Sequence, residues 1–182
     1  MKANPSPPAN VFEFLDESHR EIQRQLVQLR GLIEEIETDG LSSAHKPIAQ
    51  QVLHYFNREA RQHHLDEETH IFPALLNSGD PDVVHAARHL TQDHGWLEEN
   101  WLQIEPALEA AANGNQWFDA AELRHALNVF EALYTDHIIL EESLAYPEAK
   151  KRLGSLDNTG SGREMARRRA LASQGQNNSE IA

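Results

Sequence analysis

Residues 63–75 read HHLDEETHIFPAL, and the fold turns on whether their histidines and acids lie on or off the apolar stripe of a helix. An exposed amphipathic helix keeps apolar side chains on one face and charged ones on the other. Stepping by three and four residues through this region gives Val52, Phe56, Ala60, His63, Glu67, His70 and Ala74. His63, Glu67 and His70 thus fall inside the stripe, where a core is expected.

The same rhythm runs through three further segments. The first helix gives Phe12, Leu15, His19, Ile22, Leu26, Leu29, Ile33 and Ile36. The third gives Val83, Ala87, Leu90, His94, Leu97, Trp101, Ile104 and Leu108, and the fourth Leu123, Leu127, Phe130, Tyr134, His137, Glu141 and Leu144. Boundary signals agree. Asn10 with Glu13, Asp80 before Pro81, and Asp119 with Glu122 start helices, and Pro47 suits the first turn of the second. TDG at 38–40, NSG at 77–79, NGN at 113–115 and Pro147 end them, with kinks expected at Pro73 and Pro106. Four such stripes joined by short connections predict an all-α, up-down-up-down four-helix bundle over residues 11–150. Residues 1–10 read as a disordered tail, and 151–182 as a polar C-terminal tail with a short helical part.

Each stripe is interrupted by a histidine, and the heights of those histidines can be compared. From His19 to the end of its helix is about 17 to 19 residues, and from the start of the next helix to His63 about 16. The arms beyond His63 and before His94 are about 13 each, and those beyond His94 and before His137 about 18 each. In an antiparallel bundle the four histidines meet at one level.

Burying Glu67 and Glu141 beside imidazoles costs several kcal/mol per unpaired ion, so a core of this kind requires a compensating cation. In His63-x-x-x-Glu67 and His137-x-x-x-Glu141 the spacing of four puts both side chains on one face, one turn apart. The two glutamates, on parallel helices, can each bridge two metal ions, with His19 and His63 at one end and His94 and His137 at the other. The chain contains no cysteine, so thiolate is excluded, and imidazole with carboxylate suits iron first, with manganese and zinc as alternatives. Two divalent ions against two glutamates leave charge for an oxo or hydroxo bridge. An internal repeat supports the pairing: HHLDEETHIFPAL and HIILEESLAYPEA align His63 with His137, Glu67 with Glu141, Glu68 with Glu142 and Pro73 with Pro147.

With DESHR (16–20), TQDHGWLEENW (91–101) and the two repeat copies, the chain resembles the hemerythrin-like proteins with an HHE cation-binding domain, over about residues 11 to 150. Even GREMARRRAL (162–171) is similar to the tail of some bacterial members. The resemblance implies terminal ligands at His19, His63, His94 and His137 and bridges at Glu67 and Glu141. It implies a non-haem di-iron centre that binds dioxygen or reacts with peroxide or nitric oxide, and in some relatives senses oxygen or iron. Two departures stand out. Oxygen-carrying hemerythrins have a further histidine four residues before the third-helix ligand, where this chain has Leu90, and an aspartate where it has Glu141. Four histidines, two bridging carboxylates and an oxo bridge leave two of twelve positions open on a six-coordinate pair. His70, one turn beyond Glu67, is a candidate for one of them.

A carboxylate-rich ferritin-like bundle is the rival metal fold, needing Glu-x-x-His from two helices. Glu67-x-x-His70 supplies one, but Glu122-x-x-His125 lies some 18 residues from the matching position, and the first and third helices offer no stripe glutamate. His45, His54, His64, His85, His89 and His125 lie off the stripes and read as surface residues. Tyr134 reads as a core residue, with a hydrogen bond to the cluster as the alternative, and Glu68 and Glu142 as either solvated or hydrogen-bonded to a ligand histidine.

Composition narrows the function. A net charge of −13 argues against nucleic acid, and the one basic cluster, 162–171, reads as a solvated helical tail. No stretch has the length and apolarity of a membrane span, and the opening MKANPSPPAN has no apolar run of a secretory signal, so the chain is expected to be soluble and cytoplasmic. Three functions fit: a di-iron protein binding dioxygen or a related small ligand for sensing, storage or detoxification; an enzyme consuming peroxide or nitric oxide at the same centre; and a bundle that the metal merely secures, acting through a protein partner.

Overall fold

The computed structural model describes residues 10–154, 160–165, 167 and 168. The expected tail at 1–10 lies outside them except for Asn10, which caps the first helix: its Oδ1 accepts the backbone N–H groups of Phe12 and Glu13 at 3.0 and 3.1 Å. Helix α1 (Val11–Asp39) then runs unbroken to Gly40, whose φ of 78° ends it in a conformation that glycine adopts without strain.

The second rod comprises α2 (His45–His54), a π-helical turn (Tyr55–Ala60), α3 (Arg61–His70) and α4 (Phe72–Leu76). Helix α5 (Pro81–Ala112) continues through Pro106. The fourth rod is α6 (Ala120–Leu140), a second π-helical turn (Glu141–Ala145) and α7 (Tyr146–Arg152). Asp80 and Asp119 cap α5 and α6 through their side chains, as the sequence predicts. No strand occurs among the described residues.

Each rod packs against its neighbours in sequence, and α1 also packs against α6. The core falls into two apolar clusters. One joins the late part of α1 (Leu29, Ile33) to Val52 and Phe56, to Trp101 and Ile104, and to Leu127 and Phe130. The other joins the beginning of α1 (Phe12, Leu15) to Phe72 and Leu75, to Val83 and Leu90, and to Tyr146 and Ala149. The start of α1 therefore lies with the end of the second rod, the start of α5 and the end of the fourth rod. A chain that alternates in direction brings those ends together. His19, His63, His94 and His137 sit between the two clusters.

Two expectations are corrected. The fourth helix does not stop at Pro147: that residue lies in the first turn of α7, where its missing N–H costs nothing, and the widened turn before it accommodates the ring. Nor is the basic segment simply solvated. A helical stretch from residue 160 lies against the bundle, with Met165 buried in the second cluster. Arg168 forms an ion pair at 2.8 Å with the buried Asp66. Gly162 approaches so closely that a Cβ there would meet the Asn10 backbone at 2.8 Å. Gly162, Met165 and Arg168 share one helical face, a pattern too sparse in apolar residues to register as a stripe.

Candidate metal centre

Side-chain N and O atoms of His19, His63, Glu67 and Glu141 lie within 4.8 Å of one another, and so do those of Glu67, His94, His137 and Glu141. Both glutamates thus belong to both groups, and each histidine belongs to one. All six residues are buried, with both glutamates at 0% exposure. Glu141 Oε2 lies 3.1 Å from His19 Nε2, and its Oε1 lies 3.3 Å from His137 Nε2. Glu67 Oε2 lies 3.3 Å from His94 Nε2, and its Oε1 lies 3.5 Å from His63 Nε2.

Two of the four remaining imidazole nitrogens are tied to carboxylates at the rim. His19 Nδ1–H donates to Glu142 at 2.9 Å, and His94 Nδ1–H donates to Glu68 at 2.7 Å. Asp93 stands 3.7 Å from His137 Nδ1. The doubled glutamates of the two repeat copies thus have divided roles: the first of each pair faces inward, and the second fixes the tautomer of a histidine on a neighbouring helix and aims its Nε2 at the centre.

Tyr146 completes one side. Its O–H donates to Glu67 Oε1, its oxygen lies 3.1 Å from His19 Nε2, and its ring stacks on His19 at 5.4 Å. Strict helical periodicity from Glu141 passes over this residue and marks Leu144. The π-helical turn delays the face by one residue, so Ala145, Tyr146 and Ala149 turn inward and Leu144 is only half-buried.

His70 does not join the cluster. The chain breaks step at Ile71, ahead of Pro73, which shifts the buried face onto Ile71, Phe72 and Leu75. The half-buried His70 faces the C-terminal segment, and its Nε2 accepts from Arg168 at 3.3 Å. Two histidines read as surface residues are also placed differently. His45 is buried and accepts the Ser42 N–H through Nδ1. His64 is half-buried beside the centre, with its ring 4.1 Å from His94 and nearly parallel. Only its neighbour His63, read as a site residue, pointed to it.

Electrostatics of the cluster match a cation site. Burial, reinforced by the Glu141 charge, raises Glu67 to about 7. Burial also opposes the charge on Glu141, but His137 and His19 hold it well below the usual carboxylate range. His137 is raised to about 10: burial works against its proton, and Glu141 and Asp93 outweigh that effect. Burial pushes His63 well below the usual imidazole range. Among the described residues eleven buried side-chain N and O atoms lack a hydrogen bond, and nine of them belong to His63, His64, Glu67, His94, His137 and Glu141. Unsatisfied atoms converging in this way are what metal coordination would satisfy.

The family model for the hemerythrin HHE cation binding domain matches residues 10–149. The chain belongs to that family. It is also 32% identical over 161 residues to an uncharacterized protein of Haemophilus influenzae, a match covering 88% of this chain and 90% of that protein. Membership in this cation-binding family agrees with the residues that converge here, and their oxygen and nitrogen donors fit metal ions. No helix among the described residues is long and apolar enough to cross a membrane.

The rim carboxylates give a first prediction. Glu68→Gln and Glu142→Gln leave every inward-facing group intact but replace a charged acceptor with a neutral one. Each is expected to weaken metal binding by about 10- to 100-fold while leaving the stoichiometry at saturation unchanged. Competition against a chelator of known affinity measures this, and wild-type affinity in both variants would mean that these contacts do not tune the ligands.

Proposed function

We propose that this HHE-family chain is a non-haem di-iron protein that binds dioxygen or a related small ligand. The sharing of Glu67 and Glu141 between two four-residue groups carries the reading, since it suits a pair of ions bridged by both carboxylates. Imidazole and carboxylate without thiolate favour iron, with manganese and zinc as the alternatives to test. The six residues leave positions open on two six-coordinate ions, whereas a purely structural site is closed by its protein ligands. When bound, the iron pair supplies reversible electron transfer to an exogenous diatomic molecule.

The chain's own groups do the rest. Apolar clusters on both sides keep the centre dry, which strengthens every polar interaction within it. His19 and His94 are held in one tautomer by Glu142 and Glu68. The phenol of Tyr146 keeps a proton beside Glu67 and His19, where it can be donated to a bound polar ligand. That proton also favours a second reading, in which the same centre consumes peroxide or nitric oxide.

Anaerobically reduced, iron-loaded protein distinguishes the two. On exposure to air a carrier should develop a visible band that disappears under argon and returns over repeated cycles. An enzyme should oxidise once and then consume added peroxide or nitric oxide catalytically. Protein that binds iron but shows neither response would leave the small-ligand proposal without support.

A further inference from the structure

The repeat relates the two halves of the centre closely enough for its exceptions to be informative. Phe72 and Tyr146 occupy equivalent repeat positions, and their rings stack in equivalent ways, on His94 at 5.5 Å and on His19 at 5.4 Å. The following glutamate pairs, Glu68 with His94 and Glu142 with His19, also correspond. Against this near-symmetry two exchanges stand out at the centre. Tyr146 replaces the phenyl group with a phenol on the His19 side, and His64 stands where the other copy has Ile138.

Ile138 is an ordinary core residue. His64 is not. Its side-chain nitrogen lies within 4.8 Å of those of His94 and His137, so the three imidazoles form a group of their own. Its Nε2 is closed off from solvent and has no hydrogen-bond partner. A surface histidine would turn that nitrogen to water, and a structural core histidine would find it an acceptor or donor. The ring lies face to face with His94 and edge-on to His137 at 5.8 Å, so it reaches the ion of those two histidines by turning out of the stack about its side-chain bonds.

We propose that His64, rather than His70, is the fifth imidazole ligand of the centre, bound to the ion that His94 and His137 hold. This rests on the di-iron reading above. Each ion of that reading has two histidines, two shared carboxylates and a bridge, which leaves one open position apiece. His64 fills the position on its own side, so the two ions are inequivalent. The exchangeable position is then on the His19/His63 ion, beside the Tyr146 phenol. A surface cleft lined by Asp16, Arg20, Glu142, Tyr146 and Lys150 reaches His19 on that same side.

Mössbauer spectroscopy of the protein loaded with iron-57, together with azide titration of its oxidised form, tests this without any assay of turnover. Wild-type protein should give two unequal quadrupole doublets of equal area and bind one azide per iron pair. His64→Ala, and His64→Gln as the size-conserving partner, should retain two irons, alter one doublet only and admit a second azide. Free imidazole should restore the wild-type spectrum of His64→Ala. A single doublet in the wild type overturns the proposal without recourse to a variant. Superimposable spectra and equal azide stoichiometry in wild type, both His64 variants and the exposed control His85→Ala also overturn it, while two irons per chain would leave the di-iron reading standing. Wild-type protein that fails to hold an iron pair sinks both.

Discussion

Glu67→Ala is expected to abolish binding of both ions of the proposed pair, His137→Ala to remove only one, and His85→Ala to leave the content at the wild-type level. The ranking follows from group membership. Glu67 contributes to both four-residue clusters, so its loss removes a donor from each and leaves Glu141 facing two cations without its partner bridge. His137 contributes to only one of these two clusters, and the other keeps His19, His63 and both carboxylates. His85 is exposed on α5 and belongs to none of these groups. The loss at Glu67 should exceed the roughly 10- to 100-fold effect of removing an orienting partner, because a direct donor and a compensating charge disappear together. Metal analysis by mass spectrometry after anaerobic loading and desalting reads the ratio directly. Equal depletion in all three variants would indicate general destabilisation rather than a site. Equal depletion in Glu67→Ala and His137→Ala alone would show that the two ions bind as one cooperative unit.

How far this arrangement can be read from the chain depends on where the helical period is undisturbed. In α1, α5 and α6 it runs without interruption, and His19, His94 and His137 stand on the stripe where counting puts them. Capping residues likewise act through side chains at fixed offsets, so Asn10, Asp80 and Asp119 mark starts that the structure reproduces. The count fails where the turn itself changes. After Glu141 the π-helical turn advances the inward face onto Tyr146, and after His70 the break ahead of Pro73 moves it onto Ile71 and Phe72. A rule that assumes 3.6 residues per turn anticipates neither shift, so it passes over the Tyr146 phenol and sets His70 on the ligand face. His64 escaped for a different reason. It lies next to a stripe residue rather than on the stripe, and only the third dimension shows that it faces α5 and α6. The docking of Met165 and Arg168 is of the same kind, since it depends on a buried Asp66 that carries no helical signature of having a distant partner.

Stripping the metal is expected to lower the melting temperature of the wild-type protein by about 8 to 16 °C. Free metal at roughly thirty times its dissociation constant stabilises the folded state by about 2 kcal/mol per ion, about 4 for the proposed pair, and in a chain of this size each kcal/mol moves the midpoint by roughly 2 to 4 °C. The protein groups alone offset little of that loss. Glu67 and Glu141 are both fully buried; Tyr146 donates to Glu67, and His19 and His137 hold the charge on Glu141, but these contacts are made without metal and cannot replace its binding energy. The same reasoning predicts an inversion between variants. Glu67→Leu removes a buried acid that is costly in the absence of a cation, so its melting temperature should not respond to a chelator and should equal or exceed that of chelated wild-type protein, since apolar replacement of buried charge is commonly neutral or stabilising. It should nevertheless melt below metal-loaded wild type, because it cannot collect the binding energy. Calorimetry with and without a chelator on both proteins supplies the four midpoints. A wild-type midpoint indifferent to chelation would mean that the convergent histidines and glutamates are stabilised by something other than metal, and the centre would have to be reinterpreted from its hydrogen bonds alone.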